Sequence, residues 1–324
     1  MIDLHLHLDG SLTREELLLL GEMSGIPLEY AKTAHISVDE SCHSLNDYLK
    51  CFEFPLKVLQ KEECIEKAVY FLLSRLSRSG LLYAEVRFAP QLHTQEGLTQ
   101  KDVVEAAIKG LEMAKKDYAF PANLILCAMR GEGNKEENLL TVRLAKEYLH
   151  KGVCGLDLAG DEALFPTSSF QNVFKLANEL DIPFTIHAGE ASGPDSIWEA
   201  LKMGARRIGH GVSAVKDKML LSFLASSGVL LELCPTSEKD THAIDRYEDL
   251  PLKTFLRYGV KTCINTDDMT VSNITLQEEC EKVQKTFGLS DETMKELFLN
   301  SVEGSFLEND QKDFLKEELE KKYR

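Results

Sequence analysis

The sequence lacks an excess of positive charge. Its 324 residues include 37 lysines and arginines against 53 aspartates and glutamates, which gives a net charge of −16 at neutral pH. Nucleic acids and anionic membrane surfaces are bound through basic patches, so this balance argues against both as main partners. A glycine-rich phosphate loop followed by lysine is also absent, which disfavours a polyanionic substrate. No uninterrupted apolar run is long enough to cross a bilayer.

Cysteine pairing motifs are absent as well. None of the eight cysteines forms a C-x-x-C pair, and several lie inside apolar runs, where cysteine packs as a small hydrophobic residue. The apolar run that begins at Ile2 reads as a strand, so we expect no signal peptide before it. These features predict reduced thiols in a cytoplasmic protein rather than a disulfide framework.

The sequence does contain eight apolar, β-rich runs, each followed by a helix-like segment. They read IDLHLHL, YAEVRFAP, NLILCAMR, VCGLDLAG, PFTIHAGE, RIGHGV, VLLELCPTS and KTCINTDD. Strands that alternate with helices indicate a parallel sheet covered by helices, and eight such units favour a closed (β/α)8 TIM barrel. A doubly wound open sheet is the alternative, although it needs a switch point and usually has fewer strands. The charged tail from Phe314 predicts an additional C-terminal helix.

We expect one domain over residues 1–324, because no low-complexity linker and no repeat beyond the βα alternation is visible. The connection after the first run is oversized, and we predict an insertion at approximately residues 26–70. Four of its apolar residues recur at helical spacing: Leu45, Tyr48, Leu49 and Phe52. Two interpretations stay open for this stripe, namely core packing and an apolar flap over the mouth of the barrel.

Polar side chains gather at the carboxyl ends of the predicted strands, where barrels of this kind place their chemistry. His5 and His7 lie one residue apart in a strand, so they point to the same face. Two imidazoles on one face of a buried strand are costly unless something binds both, and a metal ion is the obvious candidate. Four of the nine histidines lie at such ends, whereas chance placement would scatter them.

Three imidazoles and one carboxylate form the candidate ligand set: His5, His7, His187 and Asp267. This set suits Zn²⁺, with a further position for water, whose pKa a metal can lower toward about 7. Glu190 could then move protons, and His210 could orient or deprotonate the water. Asp268 could accept a hydrogen bond from substrate. The plainer alternatives are structural histidines and an aspartate pair that caps a helix.

Missing motifs narrow the chemistry further. Two-metal hydrolases on such barrels often need a bridging lysine after the fourth strand, and GLDLAGDE has none, which favours one metal ion. The absence of C-x-x-C excludes the zinc signature of the cytidine-type deaminases. The absence of G-x-S-x-G excludes the nucleophile elbow of the α/β-hydrolases.

Seven motifs occur in a characteristic order between His5 and Asp268: HLHLDGS, YAEVRFAPQLH, DLAGDE, HAGE, RIGHGV, LCPTS and NTDD. This series resembles the adenosine deaminases of the amidohydrolase superfamily. RFAPQLH is more similar to the adenosine enzymes than to the adenine deaminases. The resemblance implies one Zn²⁺ per chain and a small-molecule purine nucleoside as partner. It also implies conversion of adenosine and 2′-deoxyadenosine to inosine and 2′-deoxyinosine with release of ammonia.

The resemblance further implies a role for each matched position beyond the ligand set. Glu190 would share a proton with purine N1, and His210 would position the zinc-bound hydroxide as it attacks C6. Asp268 would bond to N7, the backbone N–H of Gly160 would bond to N3, and Asp9 would meet the ribose 5′-hydroxyl. The four apolar insertion residues Leu45, Tyr48, Leu49 and Phe52 would form a lid over the substrate.

Two positions depart from the usual family sequence. Glu238 stands in CPTSEKD where the family usually has Asn, and Met269 follows the aspartate pair where Pro is frequent. An alternative substrate is another 6-aminopurine, such as adenine or a modified adenosine. The alternative from a different class is a non-catalytic purine-binding relative, against which the complete ligand set and Glu190 argue. Nothing in the sequence indicates a particular oligomeric state.

Overall fold

The computed structural model describes residues 1–40 and 42–322, and its centre is a ring of parallel strands. The strands are β1 (Ile2–His7), β2 (Tyr83–Phe88), β3 (Ala122–Met129), β4 (Val153–Ala159), β5 (Thr185–Ala188), β6 (Arg207–His210), β7 (Leu230–Leu233) and β8 (Thr262–Ile264). Each of the eight runs predicted to be a strand overlaps one of them, and β3 begins one residue before its run.

Helices follow the strands and pack around them. Within the described residues the α-helices are α1 (Arg14–Ser24), α2 (Leu28–Thr33), α3 (Leu45–Leu49), α4 (Glu53–Val58), α5 (Glu62–Arg78), α6 (Gln100–Tyr118), α7 (Lys135–Glu147), α8 (Gln171–Glu179), α9 (Pro194–Met203), α10 (Lys218–Ser227), α11 (Pro235–Asp240), α12 (Leu252–Tyr258), α13 (Leu276–Phe287), α14 (Asp291–Gly304) and α15 (Asn309–Lys322). The helix predicted from Phe314 is the second part of α15. Among the described residues 1–40 and 42–322, no helix is both long and apolar enough to cross a membrane.

Capping residues mark where the longer helices begin. Thr13, Thr99 and Thr275 precede α1, α6 and α13, and each threonine hydroxyl accepts the N–H of the residue three positions later. The acidic side chain of that later residue bonds back to the threonine N–H, so two otherwise unpaired backbone donors are satisfied at each helix start.

The strands pair in sequence order, and the ring is closed by two short contacts. Backbone pairing gives one sheet of β1 to β4 and one of β5 to β8, all parallel. Parallel bridges join Leu156 to Phe184 and Leu6 to Asp267, which connects the two sheets at both edges. An open doubly wound sheet would require a reversal of strand order, which is absent among these strands. The predicted TIM barrel is therefore confirmed.

The inside of the barrel holds charged side chains that bind one another. Arg87 donates to Asp157 at 2.9 Å and to Glu232 at 2.9 Å. Arg207 contacts Glu85 at 2.5 Å and Glu232 at 2.6 Å. All five side chains are fully buried, so an unpaired member would carry a large desolvation cost. This network lies directly behind two of the candidate metal ligands.

The cysteines contribute to packing rather than to cross-links. All eight are free thiols, and seven of them are buried.

Candidate metal and active site

The four predicted metal ligands come together at the carboxyl end of the barrel. His5 Nε2 lies 3.0 Å from His187 Nε2 and 3.2 Å from Asp267 Oδ1. His7 Nε2 lies 3.2 Å and 3.3 Å from the same two atoms. Ligand atoms about 2.0–2.1 Å from a tetrahedral zinc ion are about 3.3 Å from one another. The spacing of these four donors therefore fits one zinc-sized cation.

The hydrogen bonds behind the histidines also indicate a cation. His5 Nδ1 lies 2.7 Å from Glu232, and His187 Nδ1 lies 2.9 Å from Asp157. Burial alone would raise the pKa of each carboxyl, but cationic neighbours, with Arg87 common to both, hold it well below its usual range. Each carboxylate thus accepts an Nδ1–H, which leaves a lone pair on Nε2.

Two Nε2 lone pairs that face each other repel unless a cation lies between them. Burial lowers the pKa of His7 and of His187, which keeps both rings in the neutral form that binds metals. Histidine ligands whose second nitrogen donates to a carboxylate are characteristic of zinc sites. The donor chemistry of the set therefore fits a divalent metal ion.

Asp267 reaches this set through an unusual backbone conformation just after β8. Its φ is 62°, in the left-handed region that few residues other than glycine adopt. The hydroxyl of Ser237 donates to Oδ2 at 2.6 Å, so Oδ1 is the oxygen that faces the histidines. His210 at the end of β6 also has a left-handed φ, of 61°. Strained backbone at two converging strand ends is typical of a functional site.

A second group of donors shares Asp267 with the first and includes His210 and Cys234. Burial raises the pKa of the Cys234 thiol well above its usual value. A metal binds the thiolate rather than the thiol, so this group is the poorer site. The four-donor set of three imidazoles and one carboxylate is the better candidate.

A cavity of about 320 Å³ lies next to the ligand set, within the size range of small-molecule pockets. Every residue predicted to contact substrate lines it: Asp9, Leu45, Tyr48, Leu49, Phe52, Gly160, Glu190, His210 and Asp268. His7, His187 and Asp267 line it as well. A molecule in this cavity would therefore touch both the ligand set and the predicted catalytic residues.

The apolar stripe of the insertion forms one wall of this cavity. Tyr48 and Phe52 are buried in a small cluster with Cys51 and Val271, separate from the main core. The stripe therefore packs against protein and lines the cavity at the same time. The packing interpretation therefore describes Tyr48 and Phe52, whereas the flap over the mouth of the barrel stays a prediction.

Glu190 and His210 face each other inside the cavity, with Glu190 Oε2 3.6 Å from His210 Nε2. Both side chains are buried. Burial raises the pKa of Glu190 above its usual value. A carboxyl whose pKa is raised holds its proton to higher pH than an ordinary glutamate, which suits it to act as a general acid.

Two further carboxyl groups have an oxygen with no protein partner in the described chain. These are Asp9 Oδ1 and Asp268 Oδ1, both buried. Burial raises the pKa of Asp9 to about 6 and raises that of Asp268 well above its usual value. Unpaired buried polar atoms at a cavity are costly without a ligand, so both oxygens are suited to bind one.

The loop that carries Glu190 is held by a residue to which the sequence assigned no role. Glu162 accepts the N–H of Gly189 at 2.7 Å, of Glu190 at 3.0 Å, of Ala191 at 2.8 Å and of Ser192 at 3.0 Å. The carboxylate itself is 2% exposed. One buried side chain therefore fixes the backbone of the predicted proton donor.

Sequence reasoning also missed the carboxylates behind the histidines, Asp157 and Glu232. A signal was present, because charged residues recur at alternate positions inside otherwise apolar runs, as Glu85 and Arg87 do in YAEVRFAP. Alternate strand residues share a face, so these positions point into the barrel.

The two departures from the family sequence lie close to the site. Glu238 is fully buried, accepts the N–H of Cys234 at 3.0 Å and lies 3.6 Å from His210 Nδ1. Met269 is buried, and its N–H donates to the Ser11 hydroxyl at 3.1 Å. Neither side chain supplies a donor atom to the ligand set.

Known proteins similar to this chain point to one family. The family model described as adenosine deaminase matches residues 1–322. A protein named adenosine deaminase from Haemophilus ducreyi is 45% identical over 331 residues, which cover 100% of this chain and 96% of that protein. One with the same name from Enterococcus faecalis is 39% identical over 325 residues, with 99% and 96% covered.

Solved structures of similar proteins share the fold. An adenine deaminase from Arthrobacter aurescens superposes with a TM-score of 0.88 at 26% identity, covering 99% of this chain and 98% of that one. An N6-methyl-AMP deaminase from Arabidopsis thaliana gives 0.86 at 25% identity, covering 99% and 96%. A Burkholderia ambifaria amidohydrolase with bound Zn gives 0.89 at 22% identity, covering 99% and 90%, which supports the fold alone. The match over residues 1–322 and the identity to full-length relatives show that this chain belongs to the adenosine deaminase family of metal-dependent hydrolases.

Proposed function

We propose that this protein hydrolyses the 6-amino group of adenosine and of 2′-deoxyadenosine, which yields inosine, 2′-deoxyinosine and ammonia. The proposal is supported by the names of relatives up to 45% identical. The observation that carries it is the cavity in which four metal-type donors lie beside Glu190, His210 and Asp268. Together these groups offer what hydrolysis at a purine C6 requires, namely an activated water and protonation of the ring.

One Zn²⁺ per chain is part of the proposal. His5, His7, His187 and Asp267 would hold it, since His5 and His7 each have a donor atom 3.0–3.3 Å from those of His187 and Asp267, and all four donor atoms lie within 4.8 Å of one another. Bound zinc lowers the pKa of water toward about 7 and so makes hydroxide available at neutral pH. Asp157 and Glu232 fix the orientation of two of the rings from behind.

The chain's own residues move the protons. Glu190, whose pKa burial raises above its usual value, donates a proton to purine N1, which draws electron density away from C6. The His210 ring, 3.6 Å from Glu190, stabilises the charge that develops as oxygen adds at C6. The proton of the added oxygen then passes to the amino group, and the C6–N bond breaks as the C6 carbonyl forms, which releases ammonia. Glu190 recovers its proton from the next water molecule.

The remaining cavity residues orient the nucleoside. Asp268, whose pKa burial raises well above its usual value, donates a carboxyl proton from the unpaired Oδ1 to purine N7. The unpaired Oδ1 of Asp9 accepts the ribose 5′-hydroxyl. Gly160, which lines the cavity with a φ of 102°, presents its N–H to N3. Asp9 has a role only if a ribose is bound, which favours a nucleoside over the free base.

The insertion at residues 26–70 acts as a helical lid within one domain of residues 1–324. Its apolar residues in α3 and the following turn line the cavity, where they would exclude bulk water and strengthen local electrostatic interactions. Reduced thiols throughout the chain support a cytoplasmic location, which cell fractionation would test.

The test is a substrate panel on purified, zinc-loaded protein with adenosine, 2′-deoxyadenosine, adenine and AMP. We expect the adenosine absorbance to fall and ammonia to appear in equal amount for both nucleosides. The Glu190→Gln variant is the matched control, because it should bind zinc normally and lose turnover. Turnover of adenine or AMP but of neither nucleoside would contradict the proposal, and so would no turnover at all.

A further inference from the structure

The carboxyl group of Asp268 is held on one side only. Its Oδ2 accepts a hydrogen bond from the Tyr48 hydroxyl at 3.2 Å, whereas its Oδ1 is buried and has no partner in the described chain. Gly10 leaves the space in which this carboxyl lies, since a Cβ there would be 1.8 Å from Oδ1. The Asp268 carboxyl therefore packs directly against the Gly10 backbone, and any side chain at position 10 would collide with it.

The Tyr48 hydroxyl is itself anchored. It lies 2.9 Å from the Ser272 hydroxyl, and Ser272 also donates its backbone N–H to the Asp268 carbonyl oxygen at 2.9 Å. The tyrosine uses its own proton toward Asp268, so Ser272 supplies the proton of the second bond. The phenol is 2% exposed, hence water competes little for either bond.

We propose that Tyr48 is a positioning residue for purine recognition, because its hydroxyl fixes Oδ2 of Asp268 and thereby aims Oδ1 at N7 of the bound purine. This inference rests on the proposed function. The terminal torsion of an aspartate is broad and nearly two-fold, so packing alone defines it poorly. A hydrogen bond to one oxygen selects one orientation and leaves the other oxygen for the ligand.

The same bond couples the lid to recognition. Tyr48 belongs to α3 of the insertion, while Asp268 follows β8, 220 positions away in sequence. The hydroxyl reaches Asp268 only while α3 lies against the cavity. The other lid residues Leu45, Leu49 and Phe52 offer apolar surface, which can cover a purine but cannot orient a carboxyl. Tyr48 therefore gives the lid a polar role at N7.

The experiment compares Tyr48→Phe with the wild type on adenosine and on 7-deazaadenosine, which has no nitrogen at position 7. Phenylalanine keeps the ring and removes only the hydroxyl. We expect kcat/KM for adenosine to fall about tenfold, the size of one lost hydrogen bond to a carboxyl. The affinity for 7-deazaadenosine, measured by competitive inhibition and by direct binding, should stay unchanged, because that ligand never uses the N7 contact.

Two further variants separate positioning from packing. Leu49→Ala shortens an apolar side chain of the lid and leaves Asp268 unchanged. It should therefore lower kcat/KM for adenosine and the affinity for 7-deazaadenosine by the same factor. Ser272→Ala removes the anchor of the tyrosine hydroxyl and should reproduce the N7-dependent loss in weaker form. Zinc content and melting temperature are measured for every variant, so that a folding defect is recognised.

The outcomes distinguish this inference from the proposed function. A wild type that does not deaminate adenosine contradicts the proposed function itself. The positioning role is overturned if the wild type is active and Tyr48→Phe weakens the use of adenosine and the binding of 7-deazaadenosine equally, or weakens neither. The proposed function is then left intact. Selective loss with adenosine supports the inference.

Discussion

The peptide groups of Asp267 are bonded directly to the backbone of His5 and His7. The Asp267 N–H donates to the His5 carbonyl oxygen at 2.8 Å, and the Asp267 carbonyl oxygen accepts the His7 N–H at 2.8 Å. These two bonds close the barrel between β1 and the end of β8. The same two hydrogen bonds therefore close the barrel and bring Asp267 next to His5 and His7 in the candidate metal site.

Substitution of Asp267 should separate its contribution to zinc binding from the effect of its left-handed backbone on the free energy of unfolding. Both Asp267→Asn and Asp267→Ala should lose zinc. The metal-free alanine variant should also be less stable than the metal-free asparagine variant by about 1 kcal/mol, because asparagine tolerates the left-handed φ of 62° better. Zinc analysis and urea unfolding measure the two effects. Equal stability of the metal-free variants would show that the backbone at this position is not strained.

The carboxylate behind His187 should control metal affinity. Asp157→Asn weakens the bond to His187 Nδ1 and breaks the ion pair with Arg87. We expect zinc affinity to fall about 10- to 100-fold, as is usual when such partners are changed. Glu85→Gln is the matched control, since Glu85 pairs with Arg207 and touches no ligand. If competition with a chelator shows that both variants lose zinc affinity equally, the loss results from disturbing the buried ion pairs in general and not from the bond to His187.

Glu162 should affect turnover without affecting the metal. In Glu162→Gln, an amide NH₂ replaces one of the two oxygens that accept the N–H groups of residues 189 to 192. The NH₂ group cannot accept these hydrogen bonds, because it is itself a donor. The loop shifts, and Glu190 loses its alignment with the substrate. We expect kcat to fall at least tenfold, with a smaller change in KM and full zinc content. Wild-type kcat in this variant would mean that the loop holds its shape without the carboxylate.

The sequence predicts local and periodic features well and distant contacts poorly. The strands, and the placement of His187 and Asp267 at strand ends, follow from the βα alternation and from the geometry of barrels. The bond from Tyr48 to Asp268 does not, because no pattern near either residue indicates a partner 220 positions away. The hydrogen bonds from residues 189 to 192 to Glu162 are equally hard to predict, because they depend on where the end of β5 lies in the fold. Such contacts are set by barrel closure, which brings distant segments together.

Asp9 should be specific for the ribose end of the substrate. Its buried Oδ1 has no protein partner, so Asp9→Ala removes an acceptor that the 5′-hydroxyl would use. We expect kcat/KM to fall about 10- to 100-fold for adenosine and for 2′-deoxyadenosine alike, since both carry that hydroxyl. The ligand 5′-deoxyadenosine, which lacks it, should be processed equally by the variant and the wild type. Equal losses on all three nucleosides would instead assign Asp9 a structural role.

The pH dependence of the reaction should reveal the protonated form of Glu190. Burial is the main cause that raises the pKa of this carboxyl, so its proton persists to higher pH than that of an ordinary glutamate. Only the protonated form can donate to purine N1. Consequently kcat/KM for adenosine should be level while Glu190 is protonated and should fall about tenfold per pH unit above its pKa. The profile is measured with zinc content checked at each pH, because loss of metal would imitate loss of the proton. A rate that rises with pH throughout, with no falling limb, would show that Glu190 acts as a base instead.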